Sequence, residues 1–253
     1  MFVSRIQNFI INTGKTLLPL VFIVIVWQFI VVIDKLPPYI LPAPLLVWHT
    51  LVNNVPLLFS QALPTAFESI IGLTLSVLVG MSGALIFTYF RLAREYLLPS
   101  LIISQALPTF AIAPLLVVWF GYGMASKIVT VMIMLFFPVT MTFYDGLIQV
   151  NENWLDLAQT MQATRWSALR YIALPAALPA LASGLRLAAS WAPLGAVIGE
   201  WVGASQGLGY LMLNSNARLQ VDMMFAALIW LIALALLLFF VVDRGMRWLI
   251  KIR

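Results

Sequence analysis

The 253-residue sequence has no cysteine and a single histidine, His49. The first absence excludes disulfide frameworks, thiolate metal sites and thiol nucleophiles. The second leaves a histidine metal site or a histidine-dependent triad almost nothing to work with. Charge is scarce too. Asp, Glu, Lys and Arg make up 9% of the residues, against about 25% in soluble domains. What fills the chain is apolar: 63% of residues are hydrophobic and mean hydropathy is +1.02. Water is therefore not the solvent for most of this surface. The net charge of +5 would suit nucleic acid in a soluble protein. In a membrane chain, basic cytoplasmic loops account for it, so no nucleic-acid partner and no metal are read here.

Apolar stretches at 17–33, 66–90, 97–120, 128–144, 180–201 and 223–242 each have about the length that crosses 30 Å of hydrocarbon. They predict an all-α membrane protein of six spans, forming one transmembrane domain over 1–253. The first stretch follows Arg5 and Lys15, is long for a signal peptide, and lacks a small-x-small cleavage site after it. It reads as a retained span. With the N-terminus inside, inner segments carry Arg5, Lys15, Arg91, Arg94, Arg165, Arg170, Arg244, Arg247, Lys251 and Arg253. Outer segments carry Lys35, Lys127 and Arg218, and Arg186 lies within the fifth span. That bias predicts both termini in the cytoplasm.

Several local features qualify this plan. LPPYILPAP at 36–44 cannot be regular helix. Pro99, Pro108 and Pro114 predict kinks in the third span, or a later start for it. Gly195, Gly199, Gly203 and Gly207 recur every four residues. In a helix they form a stripe where another backbone can approach closely, and Gly195 and Gly199 are the packing candidates. The alternative is a helix ending near Trp201 followed by a GASQGLG loop. Gly14-Lys15-Thr16 resembles the end of a phosphate loop, but Phe9 stands where that motif needs glycine. Glu200 ends the fifth span and is a path candidate because a membrane acid is costly. Its alternative is an interfacial residue facing water. Trp119, Phe120 and Tyr122 form either an interfacial aromatic belt or a stacking surface for a planar solute. Glu68 and Asp145 read as solvated span ends.

The polar segment 151–179, NENWLDLAQTMQATRWSALRYIALPAALP, is too polar to cross and falls on the cytoplasmic side. Asn153 can cap a helix with Asp156 in its first turn. Apolar Leu157, Met161, Ala168 and Leu169 follow, and Leu174-Pro175 should end the element. Such a helix could lie on the membrane or fit a groove on a soluble partner. With Arg165 and Arg170 as its only basic residues, partner docking fits slightly better.

These residues resemble the cytoplasmic signature of permease subunits of ATP-binding-cassette importers: Glu-Ala-Ala, three residues, Gly, nine residues, Ile-x-Leu-Pro. Asp156-Leu157-Ala158 stands at the Glu-Ala-Ala position, Gln162 at the glycine, and Ile172-Ala173-Leu174-Pro175 at the end. The triplet is degenerate and the glycine is replaced. LPPYILPAP, QALPTFAIAPLLVVWFGYG at 105–123 and GEWVGASQGLGYLM at 199–212 extend the resemblance. They look like the branch that imports nitrate, taurine, alkyl sulfonates and thiamine-pyrimidine precursors, most closely hydroxymethylpyrimidine-type permeases. The resemblance implies a type I importer architecture in the bacterial inner membrane. Two permease copies form the path, and a periplasmic binding protein delivers cargo. Two ATPase subunits, which carry ATP and Mg, dock on the coupling segment 151–175 through Asp156, Leu157, Ala158, Met161, Gln162, Ala163, Leu174 and Pro175. This chain would bind no cofactor and catalyse no covalent step. Glu200, Trp119 and Tyr122 would border the path.

Overall fold

The computed structural model describes residues 18–19 and 21–251. Arg5, Gly14-Lys15-Thr16, Leu17 and Arg253 lie outside the described residues, and with them the start of the first expected span. No strand occurs among the described residues, and the protein is all-α as expected. The elements are α1 (Val21–Ile33), α2 (Pro44–Asn53), α3 (Val55–Tyr89), α4 (Arg91–Ser104), α5 (Thr109–Phe120) and α6 (Met124–Ile148). They continue as α7 (Glu152–Thr160), α8 (Arg165–Ala168), a π-helical turn (Leu169–Ala173), α9 (Leu174–Gly203), α10 (Leu208–Ala217) and α11 (Val221–Lys251).

Among the described residues four helices are long and apolar enough to cross a membrane: α3, α6, the continuous helix Arg165–Gly203, and α11. The third expected span is instead a broken pair, α4 and α5, bent by 99°. Pro108 stands at the N-cap of α5 with extended dihedrals. It forces the residue before it away from helical geometry, which places the break there. Counting that pair as one span gives five candidates among the described residues, and the first expected span, 17–33, is described only in part, as the short apolar helix α1. Irregular chain persists through 34–43, but Pro44 then opens α2, where its missing N–H costs nothing. Leu174-Pro175, expected to end an element, lies within the continuous helix Arg165–Gly203. Pro175 occupies the first turn of α9, and the preceding backbone has slipped into i→i+5 spacing.

The residues divide into two compact units. One comprises residues up to Leu58 together with Leu211–Leu228. In it Trp27 stacks on Phe225, with ring centroids 5.1 Å apart, and the Thr50 hydroxyl donates to Asp222 at 2.6 Å. The other comprises Phe59–Tyr210 and the residues from Ile229 on. Its centre is the pairing of α6 with α9. Val131, Leu135, Val139 and Phe143 of α6 and Ala188, Ala189, Ala192 and Ala196 of α9 are fully buried. Small residues bring these helices together. A Cβ on Gly195 would lie 3.2 Å from the Cα of Val131, and one on Gly199 would lie 3.0 Å from the Cα of Lys127. Lipid is as apolar as leucine, so such contact is held by close packing rather than by escape from water.

Candidate functional site

The segment after α6 has the helix grammar of a short, deliberately terminated element. Asn151, not Asn153, is the N-cap of α7: its side chain accepts from the Asn153 N–H at 2.9 Å, and Glu152 supplies the acid of the first turn. At the other end the Ala163 N–H reaches back to the Ala158 carbonyl at 2.9 Å, and the Gln162 N–H to that of Gln159 at 2.8 Å. This pair is a Schellman closure, which needs a left-handed residue in Gln162's place. Gln162 has φ of 59°. The position filled by glycine in the signature thus keeps its left-handed backbone although a side chain now occupies it. Thr164 caps α8 in turn by accepting from the Ser167 N–H.

The helix carries two faces. Ala158 is buried (5% exposed), seating α7 on the rest of its unit. Trp154, Leu157 and Met161 are exposed, the last at 74%. With Tyr171, Ile172 and Ile250 they line an apolar groove of about 720 Å³. Asp156 is exposed, Ala163 lines the groove, and Leu174 and Pro175 stand at the base of α9 beside it. A row of large apolar side chains in the open on a short polar helix marks an interaction surface.

A second polar site lies where α9 gives way to α10. Glu200 is 1% exposed. Its carboxyl oxygens accept from Thr65 Oγ1 at 2.6 Å, the Gly209 N–H at 2.6 Å and the Tyr210 N–H at 3.3 Å. Gln61 accepts from the Gly207 N–H at 2.7 Å, and Thr65 from the Leu208 N–H at 2.9 Å. The orphan N–H groups opening α10 are thus satisfied by side chains from α3 and α9. GASQGLG is helix to Gly203 and loop to Gly207, so both sequence alternatives hold in part. Gly207 has φ of 119°, and a Cβ there would run into the Glu200 carboxyl group. Lys127, 4% exposed, donates its three ammonium hydrogens to the carbonyls of Tyr122, Gly123 and Gly203. Glu68, expected to be solvated, is 2% exposed and faces Glu200 and Lys127 electrostatically.

Arg186, flagged only as a charge within a span, is partnered. Its Nε donates to Asp243 Oδ1 at 2.6 Å, and Arg247 holds Oδ2 at 2.8 Å. A membrane arginine demands such an acid, but the choice of Asp243 across 57 residues of chain was not readable. Trp119 and Tyr122 are exposed (68% and 76%) on and just beyond the end of α5, and are not gathered with the buried Glu200 carboxyl group. One edge of the Tyr122 ring instead covers Gly203.

Residues 72–251 match the family described as binding-protein-dependent transport system inner membrane component. The chain belongs to that family. Such permeases are non-catalytic transport subunits that pair with separate ATPase subunits and substrate-binding proteins. This permease is 50% identical over 229 residues to a probable ABC transporter permease protein of Haemophilus influenzae, covering 90% of this chain and 94% of the relative. It is 34% identical to the formylaminopyrimidine transport permease protein ThiX of Halalkalibacterium halodurans, over 82% of this chain and 83% of the relative. Its fold resembles a chain of the MetNI methionine ABC transporter in an inward-facing conformation, with TM-score 0.66 and 20% identity, covering 77% of this chain and 97% of that one.

Proposed function

We propose that this permease, as a homodimer, forms the path by which a thiamine-pyrimidine precursor enters the cell, with both termini cytoplasmic. The exposed apolar face of α7 beside its groove carries the docking part of this reading. A separate ATPase would seat on Trp154, Leu157 and Met161, with Asp156 at the rim and the Schellman turn at Gln162 setting the angle of exit. ATP and Mg belong to that partner, and this chain binds no cofactor. Because Arg165–Gly203 is continuous helix, displacement of α7 by ATPase closure reaches the far end of α9. ATP thereby biases a two-state gate through contacts that differ between the states. A binding protein delivers cargo on the outer side. There Trp119 and Tyr122 border the path, and Glu200 frames it by holding α10 in place.

The pyrimidine cargo is supported by the likeness to the formylaminopyrimidine permease. The test is reconstitution of the permease with its ATPase and binding protein in proteoliposomes. Labelled hydroxymethyl-aminopyrimidine and labelled taurine are offered separately, with and without ATP. ATP-dependent uptake of the pyrimidine is the expected result. Uptake of taurine, an alkyl sulfonate or nitrate in its place overturns the cargo assignment. Uptake that persists without ATP, with no ATPase copurifying, overturns the coupled mechanism.

A further inference from the structure

Among the candidate spans α9 has the largest share of buried residues in its most apolar stretch, 44% against 22% in α11. Yet one face along it, an arc of about 140°, stays uncovered. Leu187, Trp191, Leu194 and Trp201 are 42–50% exposed, and Arg186 and Ser190 lie on the same side at helical spacing. The uncovered side of α11 between Ile232 and Val241 is of another kind: Ile232, Leu236, Leu237, Phe240 and Val241, with no polar group in that stretch. That side suits lipid.

The α9 row does not. The Arg186 side chain is 31% exposed and bonds Asp243 through Nε. Its two terminal nitrogens make no hydrogen bond among the described residues. Hydrocarbon solvates neither an open guanidinium nor an open hydroxyl. The Ser190 hydroxyl hydrogen is committed to the Leu187 carbonyl at 2.8 Å. Its oxygen therefore presents lone pairs outward and acts as an acceptor. Arg186, about 6 Å along the axis by helical rise, can only donate. Trp191 adds a flat apolar face at the other edge of the same exposed arc, about 140° around the helix from Arg186.

We propose that this row is the cargo-facing wall of the path. Trp191 stacks on a planar ring at one edge of the wall, and at the other edge the free fork of Arg186 donates to a ring nitrogen while Ser190, one turn on, accepts from the adjacent amino group. An acceptor beside a donor on one ring edge is the chemistry of an aminopyrimidine. A sulfonate or nitrate offers acceptors alone and leaves Ser190 unmatched. This inference rests on the permease reading and deepens it, by assigning the cargo contacts to named side chains.

The protein has no cysteine, so single-cysteine variants test the wall directly in the intact transporter with its ATPase and binding protein. Ser190→Cys should react with a membrane-impermeant methanethiosulfonate, more slowly in excess hydroxymethyl-aminopyrimidine, and Ile232→Cys should stay inert. Ser190→Cys as inert as Ile232→Cys, with and without ATP, overturns the wall. Trp191→Leu should lower pyrimidine uptake per ATP hydrolysed about tenfold, the scale of losing one ring stack, with Trp191→Phe restoring most of it. Trp191→Leu within twofold of the parent overturns the stacking role. If the parent carries taurine and not the pyrimidine, the cargo reading and the ring contact fall together, while the thiol contrast still decides the wall.

Discussion

Glu200→Ala should loosen α10 and leave the rest of the permease assembled. The carboxyl group takes a 2.6 Å bond from the Gly209 N–H, a 3.3 Å bond from the Tyr210 N–H and a 2.6 Å bond from the Thr65 hydroxyl. After truncation Thr65 can turn toward the Gln61 carbonyl, already 3.4 Å away. The Gly209 N–H cannot turn. A buried donor stranded in this way costs about 1–3 kcal/mol, and the weakened cap and the void left by the side chain bring the sum to about 2–4 kcal/mol. Glu200→Gln is the discriminating control. It keeps an oxygen for Gly209, and its amide can donate to Thr65 Oγ1, so its cost should be about 1 kcal/mol. The assay is thermal unfolding of the purified permease in nanodiscs by tryptophan fluorescence, with limited proteolysis at 204–207 as a local readout. Stability should fall in the order parent, Gln, Ala, and only the Ala variant should be cut rapidly. Equal midpoints and equal cleavage for Ala and Gln would refute the capping argument.

Five other substitutions probe the same physics elsewhere. Gly207→Ala should cost at least about 2 kcal/mol, because a Cβ at positive φ is strained and meets the Glu200 carboxyl group. Gly245→Ala, a helical glycine with nothing near the added atom, should gain about 0.5–1 kcal/mol; similar unfolding shifts for the two would count against both. Gln162→Gly should raise stability by about 0.5–1 kcal/mol by relieving the left-handed residue while transport stays coupled, and a loss of stability would mean the Gln162 side chain makes a contact that matters. Asp156→Lys, or Ala158→Glu at its buried seat, should cut uptake at least about tenfold, a loss of about 1.4 kcal/mol or more, with insertion and ATPase hydrolysis retained; normal uptake in either would remove α7 from the coupling route.

The readable parts of this fold are those governed by local solvent preference. The apolar run at 128–144 sits inside α6, and the resemblance to the importer signature put Gln162 at the glycine position, where the Schellman turn lies. What escaped reading depends on contacts across the chain. Asn153 reads as the cap from its spacing to Asp156, whereas Asn151, two residues earlier, takes the role by accepting from the Asn153 N–H. Pro175 looked like a stop because a proline breaks a helix it interrupts, but not one it begins. Glu68 reads from sequence as a solvated span end, and Glu200 as either a path residue or an interfacial one facing water. They are buried because Lys127 and the opening N–H groups of α10 come to them from distant sequence. Asp243 became the partner of Arg186 for the same reason.

The unbroken helix from Arg165 to Gly203, 39 residues long, has a mechanical consequence. At 1.5 Å per residue it is a lever of about 58 Å, so a tilt of about 5° at the α7 end sweeps the other tip through about 5 Å. That tip bears Glu200, and Glu200 grips the start of α10. The π turn at Leu169–Ala173 is the joint in this lever: one surplus residue sets the rotational phase between handle and shaft. Deleting a residue there would leave both pieces helical and turn α7 by about 100°, so that a correctly folded handle would point away from the hand that moves it.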